Sequence, residues 1–376
     1  MRTPLAWRNV WHKKVRSLIA LCGIAFAILL IFMQLGFYAA ARTNATSIYD
    51  AFDFDVVVLS PEYIFVAQAA DFPRYRLEEV RAVPGVESAV PVWVQLGEWR
   101  NPETRDAWDM LALGVEPEQR PFRDPAINNQ LPLLFVRDNA LSDSLSRPED
   151  GRLEPGINSE LQHHRIRIAG RYSMGAGFIA GATLITSRET FLEVFKQASH
   201  EQINLGLVKI APNASPRIIA DEIKSRVWPV ATALTRADFA KAEQTFWLNT
   251  KPVGIMFTTG VLVAFAAGTV ILYQVLAAEV QSRLREYATL KALGYNTRFV
   301  YEVIVRQALI FSWLGFIPAF FFAFVLYFLL RIEAFIPVRM EPTRVVAVLL
   351  LTSTMCLSAT FLAIRKLRAA DPADLF

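Results

Sequence analysis

Arg283-Leu-Arg-Glu-Tyr-Ala-Thr-Leu-Lys-Ala-Leu-Gly-Tyr295 carries four charges in its first nine residues and follows directly on a long apolar segment. Leu284, Tyr287, Ala288 and the Leu290/Lys291 pair recur near helical spacing, so one side is apolar and the other charged. Gly294 offers the left-handed stop that ends a helix, and Asn296-Thr297 can cap the next one. A short amphipathic helix between two apolar spans needs a partner surface at the membrane face. Without a partner its charges only snorkel into headgroups.

The flanking sequence defines that membrane. The chain has 376 residues, 53% of them hydrophobic and 20% charged, and the apolar ones are unevenly placed. Four windows contain no Asp, Glu, Lys or Arg: Ser17–Ala41, Pro252–Ala278, Gln307–Leu330 and Val345–Ile364. Each reaches the ~20 residues that a helix needs to cross a bilayer. The first resembles a secretory signal in its basic lead-in, and Gly36-Phe-Tyr-Ala-Ala-Ala-Arg42 offers small residues for cleavage. Its 25 uncharged residues exceed a signal core, so an uncleaved anchor is expected.

Orientation follows from charge. Residues 1–16 hold Arg2, Arg8, Lys13, Lys14 and Arg16 and no acid; 279–306 hold five basic and three acidic residues, and the tail from Arg365 three and two. Residues 42–251 hold 23 basic and 28 acidic. The positive-inside rule then places both termini and 279–306 in the cytoplasm. The predicted order is a cytoplasmic amphipathic helix (1–16), a first span (17–41), an extracytoplasmic domain with its stalk (42–251) and a second span (252–278). A cytoplasmic coupling segment (279–306), a third span (307–330), a short outer loop (331–344), a fourth span (345–364) and a cytoplasmic tail (365–376) follow. The fold class is thus an α-helical integral membrane protein of four transmembrane helices, with a mixed α/β domain inserted between helices 1 and 2. A net charge of +4 says nothing of nucleic acid here, because an acidic outer domain sits on a basic inner face. Cys22 and Cys356 both fall inside spans, so no disulfide staples the outer domain.

Within this frame, Trp7, Val10, Trp11, Val15 and Leu18 line one side of the N-terminal helix against Arg8, Lys13 and Arg16. Trp7, Trp11, Lys13 and Lys14 therefore suit the cytoplasmic interface and its lipids. Gly254, Gly260 and Gly268 make the second span the helix for close packing, within the chain or in a dimer. Gln34 and Gln274 are expected to hydrogen-bond between helices, and Pro318 to kink the third span.

The outer domain reads as β-α-β at each end. Asp53–Leu59, a helix at Tyr75–Val83 and Val86–Val94 form one unit; Leu207–Ile210, a helix at Ser215–Val227 and Val230–Leu234 form the other. The two are expected to fold back together as a pseudo-repeat. Between them Met110–Val115, Leu133–Val136, Arg165–Ala169 and Phe178–Thr186 are strand candidates, with a loop at 138–157. The uncharged run Tyr172–Ser187 is too short and too glycine-rich for a fifth span. Arg236–Asn249 has the composition of a helical stalk, and Ala41–Phe52 is its less helical counterpart.

Catalytic signatures are missing. There is no G-x-x-x-x-G-K-[ST] phosphate loop, no H-E-x-x-H and no G-x-S-x-G. His163-His164 reads as a solvated pair, and no thiolate zinc site or other metal site is expected. The spans lack the ionisable groups of an ion-coupled carrier. The chain is thus expected to be non-enzymatic, with any energy entering through residues 279–295.

Arg285-Glu-Tyr-Ala-Thr-Leu-Lys-Ala-Leu-Gly-Tyr295 resembles the cytoplasmic signature of MacB/FtsX-type ABC transporter permeases, and more narrowly that of DevC-type permeases of cyanobacterial glycolipid exporters. Trp247-x-x-Thr250-x-Pro252-x-Gly254, Tyr273-Gln-Val-Leu276, Thr354-Met-Cys356, Arg365-Lys-Leu367 and Asp371-Pro-Ala-Asp-Leu-Phe376 share the likeness. Ser358-Ala359 departs from the expected Ser-Gly, and residues 96–165 carry little of it. The resemblance implies a homodimer in the bacterial inner membrane, two copies of a separate ATPase that binds Mg-ATP, a periplasmic membrane-fusion adaptor and an outer-membrane channel. This chain would carry no cofactor. Arg283, Arg285, Glu286 and Lys291 would be the polar contacts to the ATPase, and Tyr287, Leu290 and Leu293 the apolar anchors, with Gly294 and Tyr295 completing the coupling residues. The implied work is mechanotransmission that exports a lipid, glycolipid or other amphiphile; the alternative is an FtsX-like transducer that regulates a cell-wall enzyme and moves no substrate.

Overall fold

The computed structural model describes residues 14–175, 180–282, 297–333, 336 and 338–369. The chain divides into two compact units, Met1–Ala40 with Pro252–Phe376, and Ala41–Lys251.

Among the described residues, four helices are long and apolar enough to cross a membrane: Leu21–Asn44, whose last turn passes into the second unit, and Val253–Ser282, Tyr301–Ile332 and Pro342–Arg365 of the first. Continuous apolar composition without strand-like alternation produces them, and internal hydrogen bonding of the backbone is what a bilayer demands. The third continues through Pro318 inside the longer helix Thr297–Glu333. A common core joins them, with Ile28 and Phe32 of the first, Leu272 of the second, Ala319 of the third and Met355 of the fourth all buried. Phe321, Phe322, Leu350 and Phe361 face outward with more than half their surface exposed, as lipid-facing side chains do.

The inserted domain carries β1 (Val56–Leu59), β2 (Phe72–Pro73), β3 (Val86–Arg100), β4 (Ala107–Val115), β5 (Asn139–Asp143), β6 (Asn158–Leu161), β7 (His164–Tyr172), β8 (Thr183–Ser187), β9 (Gln202–Ile203), β10 (Leu205–Ile210) and β11 (Thr232–Thr235). Nine of them form one sheet in the order β11-β1-β10-β3-β4-β8-β5-β7-β6. At one end β1 lies antiparallel between β11 and β10, and β10 pairs antiparallel with β3. Helix Arg76–Arg81 joins β1 to β3, and helix Pro216–Val227 joins β10 to β11. The two end units therefore interleave as split β-α-β motifs, a ferredoxin-like arrangement. Both faces are covered: Val56 and Val58 pack with Leu77 and Ile223 of those helices, whereas Val57 and Leu59 pack with Phe52, Phe54 and Phe239. Period-2 alternation with both sides apolar explains the unbroken run Val56-Val-Val-Leu59.

The middle of the domain is a second structure. β3 and β4 run on past the first layer, and β3 also pairs with β6, Trp99 opposite Leu161. That pairing closes β3-β4-β8-β5-β7-β6 into a ring. All six strands send side chains into one buried cluster, among them Trp99, Met110, Leu184, Ala140, Ile166 and Leu161, and these six fill the inside of a small barrel. Trp99 is fully buried, and its indole Nε1 donates to the Asp150 carbonyl at 3.0 Å.

Three expected elements differ. Leu133–Val136 is not a strand: Leu131–Phe135 is a 3-10 helix, opened by Pro132 and buried through Leu131 and Leu134 at a spacing of three. The presumed loop 138–157 contains β5, whose polar residues are buried and hydrogen-bonded. The strand expected over Phe178–Thr186 is β8, from Thr183; residues 176–179 lie outside the described residues.

Candidate functional site: the coupling segment and the stalk

The predicted coupling residues Arg283, Arg285, Glu286, Tyr287, Leu290, Lys291, Leu293, Gly294 and Tyr295 lie outside the described residues, as do Trp7, Trp11 and Lys13. Lys14 is the first residue of the helix Lys14–Asn44. On either side of the segment, the second membrane helix runs to Ser282, whose Oγ donates to the Glu279 carbonyl at 2.8 Å. The third helix starts at Thr297, and Glu302 pairs with Arg306 at 2.6 Å one turn on.

The glycines of the second helix are described. A Cβ at Gly260 would strike the Gln34 side chain, and one at Gly268 would strike the Met355 sulfur and lie 2.9 Å from Ala27 Cβ. Both therefore serve close approach to the first and fourth helices of the same chain. Gly254 is buried near the helix start. Gln34 lies against Gly260, whereas Gln274 sits on the exposed side of its helix rather than between helices of this chain. Where Gly36 meets Tyr327, the tyrosine hydroxyl donates to the Phe32 carbonyl and the Arg344 guanidinium stands 5.7 Å from its ring.

The segment expected as the second half of a stalk is built from helix Arg236–Thr245 and a π turn at Phe246–Thr250. Thr235 caps it: the side-chain oxygen accepts from Asp238 N at 3.1 Å and donates to Asp238 Oδ2 at 2.7 Å. Thr235→Ala is expected to cost about 1 kcal/mol, readable as a lower denaturation midpoint. The other half is helical too, through Asn44 and again over Ser47–Asp50, despite its mixed composition. Arg236 ties the halves together, donating to the carbonyls of Tyr49 at 3.1 Å and Phe52 at 3.0 Å, with Phe54 beneath its guanidinium at 4.5 Å. Arg42 Nε donates to Gln244 Oε1 at 2.9 Å.

One turn further, Phe239 is buried against Tyr49 at 4.4 Å and Tyr63 at 5.6 Å. Glu243 then enters the same interior, 1% exposed. Tyr63 donates to its Oε1 at 2.6 Å, and the Tyr49 and Tyr63 hydroxyls hydrogen-bond to each other. Burial pushes the Glu243 carboxyl from 4.5 up to about 7, against the opposing pull of Tyr63, Tyr49 and Trp247. Both tyrosines are raised well above 10, first by their own burial. The π turn follows at once, with Phe246 stacked on Phe65 at 4.8 Å. Insertions of this kind in α-helices recur at functional positions. In sequence Glu243 is one charge in a charge-rich helix, so nothing marked it as buried.

Comparison with known proteins adds the following. Residues 248–372 match the family model described as FtsX-like permease C-terminal. No curated protein matches the chain. Among solved structures, the periplasmic region of MacB from Actinobacillus actinomycetemcomitans is similar at 8% identity and a TM-score of 0.37, covering 52% of this chain and 94% of that one. The extracellular domain of the noncanonic ABC-type transporter YknZ from Gram-positive bacteria is similar at 11% identity and a TM-score of 0.33, covering 48% and 98%.

Proposed function

We propose that this chain is the membrane permease subunit of an ABC-type exporter, in which a separate ATPase drives motion through the stalk to the inserted domain. The match of residues 248–372 to FtsX-like permeases carries this reading, since that stretch contains the amphipathic segment and three of the four spans. The helical segments that enter and leave the inserted domain, tied together by Arg236, support it, because ordered flanks pass on a displacement that loose linkers would absorb. In the proposed assembly, two copies of the chain engage two ATPase copies on the cytoplasmic side, and the inserted domain meets an adaptor and outer-membrane duct in the periplasm. An amphiphile such as a glycolipid is the proposed cargo. Mg-ATP chemistry resides in the partner, and 279–306 and both termini face the cytoplasm.

Glu286→Lys and Leu290→Asp, which reverse a charge and place one on the apolar side, are expected to leave insertion intact. Each should remove co-purification of the ATPase and the stimulation of its turnover. Unchanged co-purification and turnover in both variants would discard the coupling role. Crosslinking of the inserted domain in cells separates export, which captures an adaptor, from regulation of a cell-wall enzyme, which captures a hydrolase.

A further inference from the structure

Residues distant in sequence meet on the barrel of the inserted domain. His164 is the first residue of β7, Asp138 immediately precedes β5, and Glu193 lies in helix Arg188–Val194 after β8. β5 is the neighbour of both β7 and β8, so the sheet itself brings the three together. One nitrogen and two carboxylate oxygens lie within 4.8 Å of one another, and His164 Nε2 is 2.7 Å from Asp138 Oδ1. All three residues are half-buried. From this convergence we infer a divalent transition-metal site of the zinc class, held by His164, Asp138 and Glu193 and completed by water.

The chemistry of the donors selects the ion. Imidazole with carboxylates suits borderline cations such as Zn²⁺ or Co²⁺, whereas Ca²⁺ and Mg²⁺ prefer oxygen alone. Bonds of about 2.0–2.2 Å place such ligands roughly 3–3.5 Å apart, which modest side-chain rotations achieve here. Water has access, because His164 and Glu193 both line a cavity of about 440 Å³. Asp138 has φ +61°, and Gln162 and His163 have φ +51° and +62° in the two-residue turn that delivers His164. Such a turn ordinarily selects Asn-Gly, so side chains there are held at some cost.

A competitor is also present. Arg137 pairs with both Glu193 oxygens, at 2.8 and 2.9 Å. Its side chain is 72% exposed, so its release sacrifices only a surface ion pair. A cation that binds Glu193 must displace it, which gives the inference a distinctive consequence: removing Arg137 strengthens binding.

The test uses the full chain in detergent, stripped with chelator and titrated with Co²⁺ alone and then Zn²⁺. One equivalent per chain is expected, with visible Co²⁺ bands that Zn²⁺ abolishes. His164→Gln and Glu193→Gln should each weaken binding at least about tenfold, and Arg137→Ala should tighten it several-fold, with unfolding midpoints little changed without metal. Absence of a stoichiometric site, or a site equally strong in His164→Gln, would overturn the inference and leave adventitious binding at His12, His163 or His200.

Discussion

Glu243→Gln is expected to flatten the pH dependence of the inserted domain's stability and to make the protein more stable at pH 8. The sign follows from where the proton sits. Below pH 4.5 the carboxyl is protonated in folded and unfolded chains alike, and its ionisation costs the fold nothing. Between 4.5 and 7 the unfolded chain releases the proton while buried Glu243 retains it, so stability falls steadily as pH rises. Above 7 both forms are ionised and the loss is complete, at roughly 3 kcal/mol for that separation of pKa values. Glutamine is always neutral and still accepts from Tyr63, so the variant should forgo that loss, less any change in the hydrogen bond. Asp150, which burial pushes up to about 6, acts with the same sign and supplies a residual slope. Denaturant midpoints of the full chain, followed by tryptophan fluorescence from pH 5 to 8, measure both. A variant whose profile parallels the parent's throughout this range would show that Glu243 ionises as freely folded as unfolded.

Physical pattern decided which parts were legible in sequence. The four spans were readable because a bilayer demands long uncharged helices. The end units were readable because Val56–Leu59 and Ile219, Ile223 and Val227 repeat with strand and helix periods. The barrel was not, since its closure rests on Trp99 opposite Leu161, a pairing between distant segments that leaves no local trace. β5 was hidden for a different reason: Asn139-Ala-Leu-Ser-Asp143 reads as a turn. Its buried polar groups are satisfied by Ser142 Oγ donating to the Leu153 carbonyl at 2.7 Å and by Asp143 accepting from Leu145 N at 3.0 Å. The cluster of Asp138, His164 and Glu193 has no motif spacing, and adjacent His163 and His164 line the same cavity but differ in burial, one exposed and one half-buried.

Gly268→Leu is expected to destabilise the membrane unit by about 3 kcal/mol or more, with a matching fall in the thermal midpoint in detergent. A Cβ alone already strikes the Met355 sulfur and comes within 2.9 Å of Ala27 Cβ. Met355 is flexible and can turn aside, but Ala27 Cβ is fixed to a helix, so the first and second helices must separate. Buried Leu272 and Met355 would then lose contacts along the same seam. Ala267→Leu is the matched control, because Ala267 neighbours Gly268 yet lies on the exposed side of the helix. Within a single chain it should cost little. The pair of substitutions thus separates packing inside the chain from packing between copies. A large loss for Gly268→Leu with none for Ala267→Leu assigns the glycine to the chain's own seam. Loss of dimer with an unchanged chain in Ala267→Leu would place the second copy on the alanine side. Equal tolerance of both would mean that the first and second helices do not pack at Gly268.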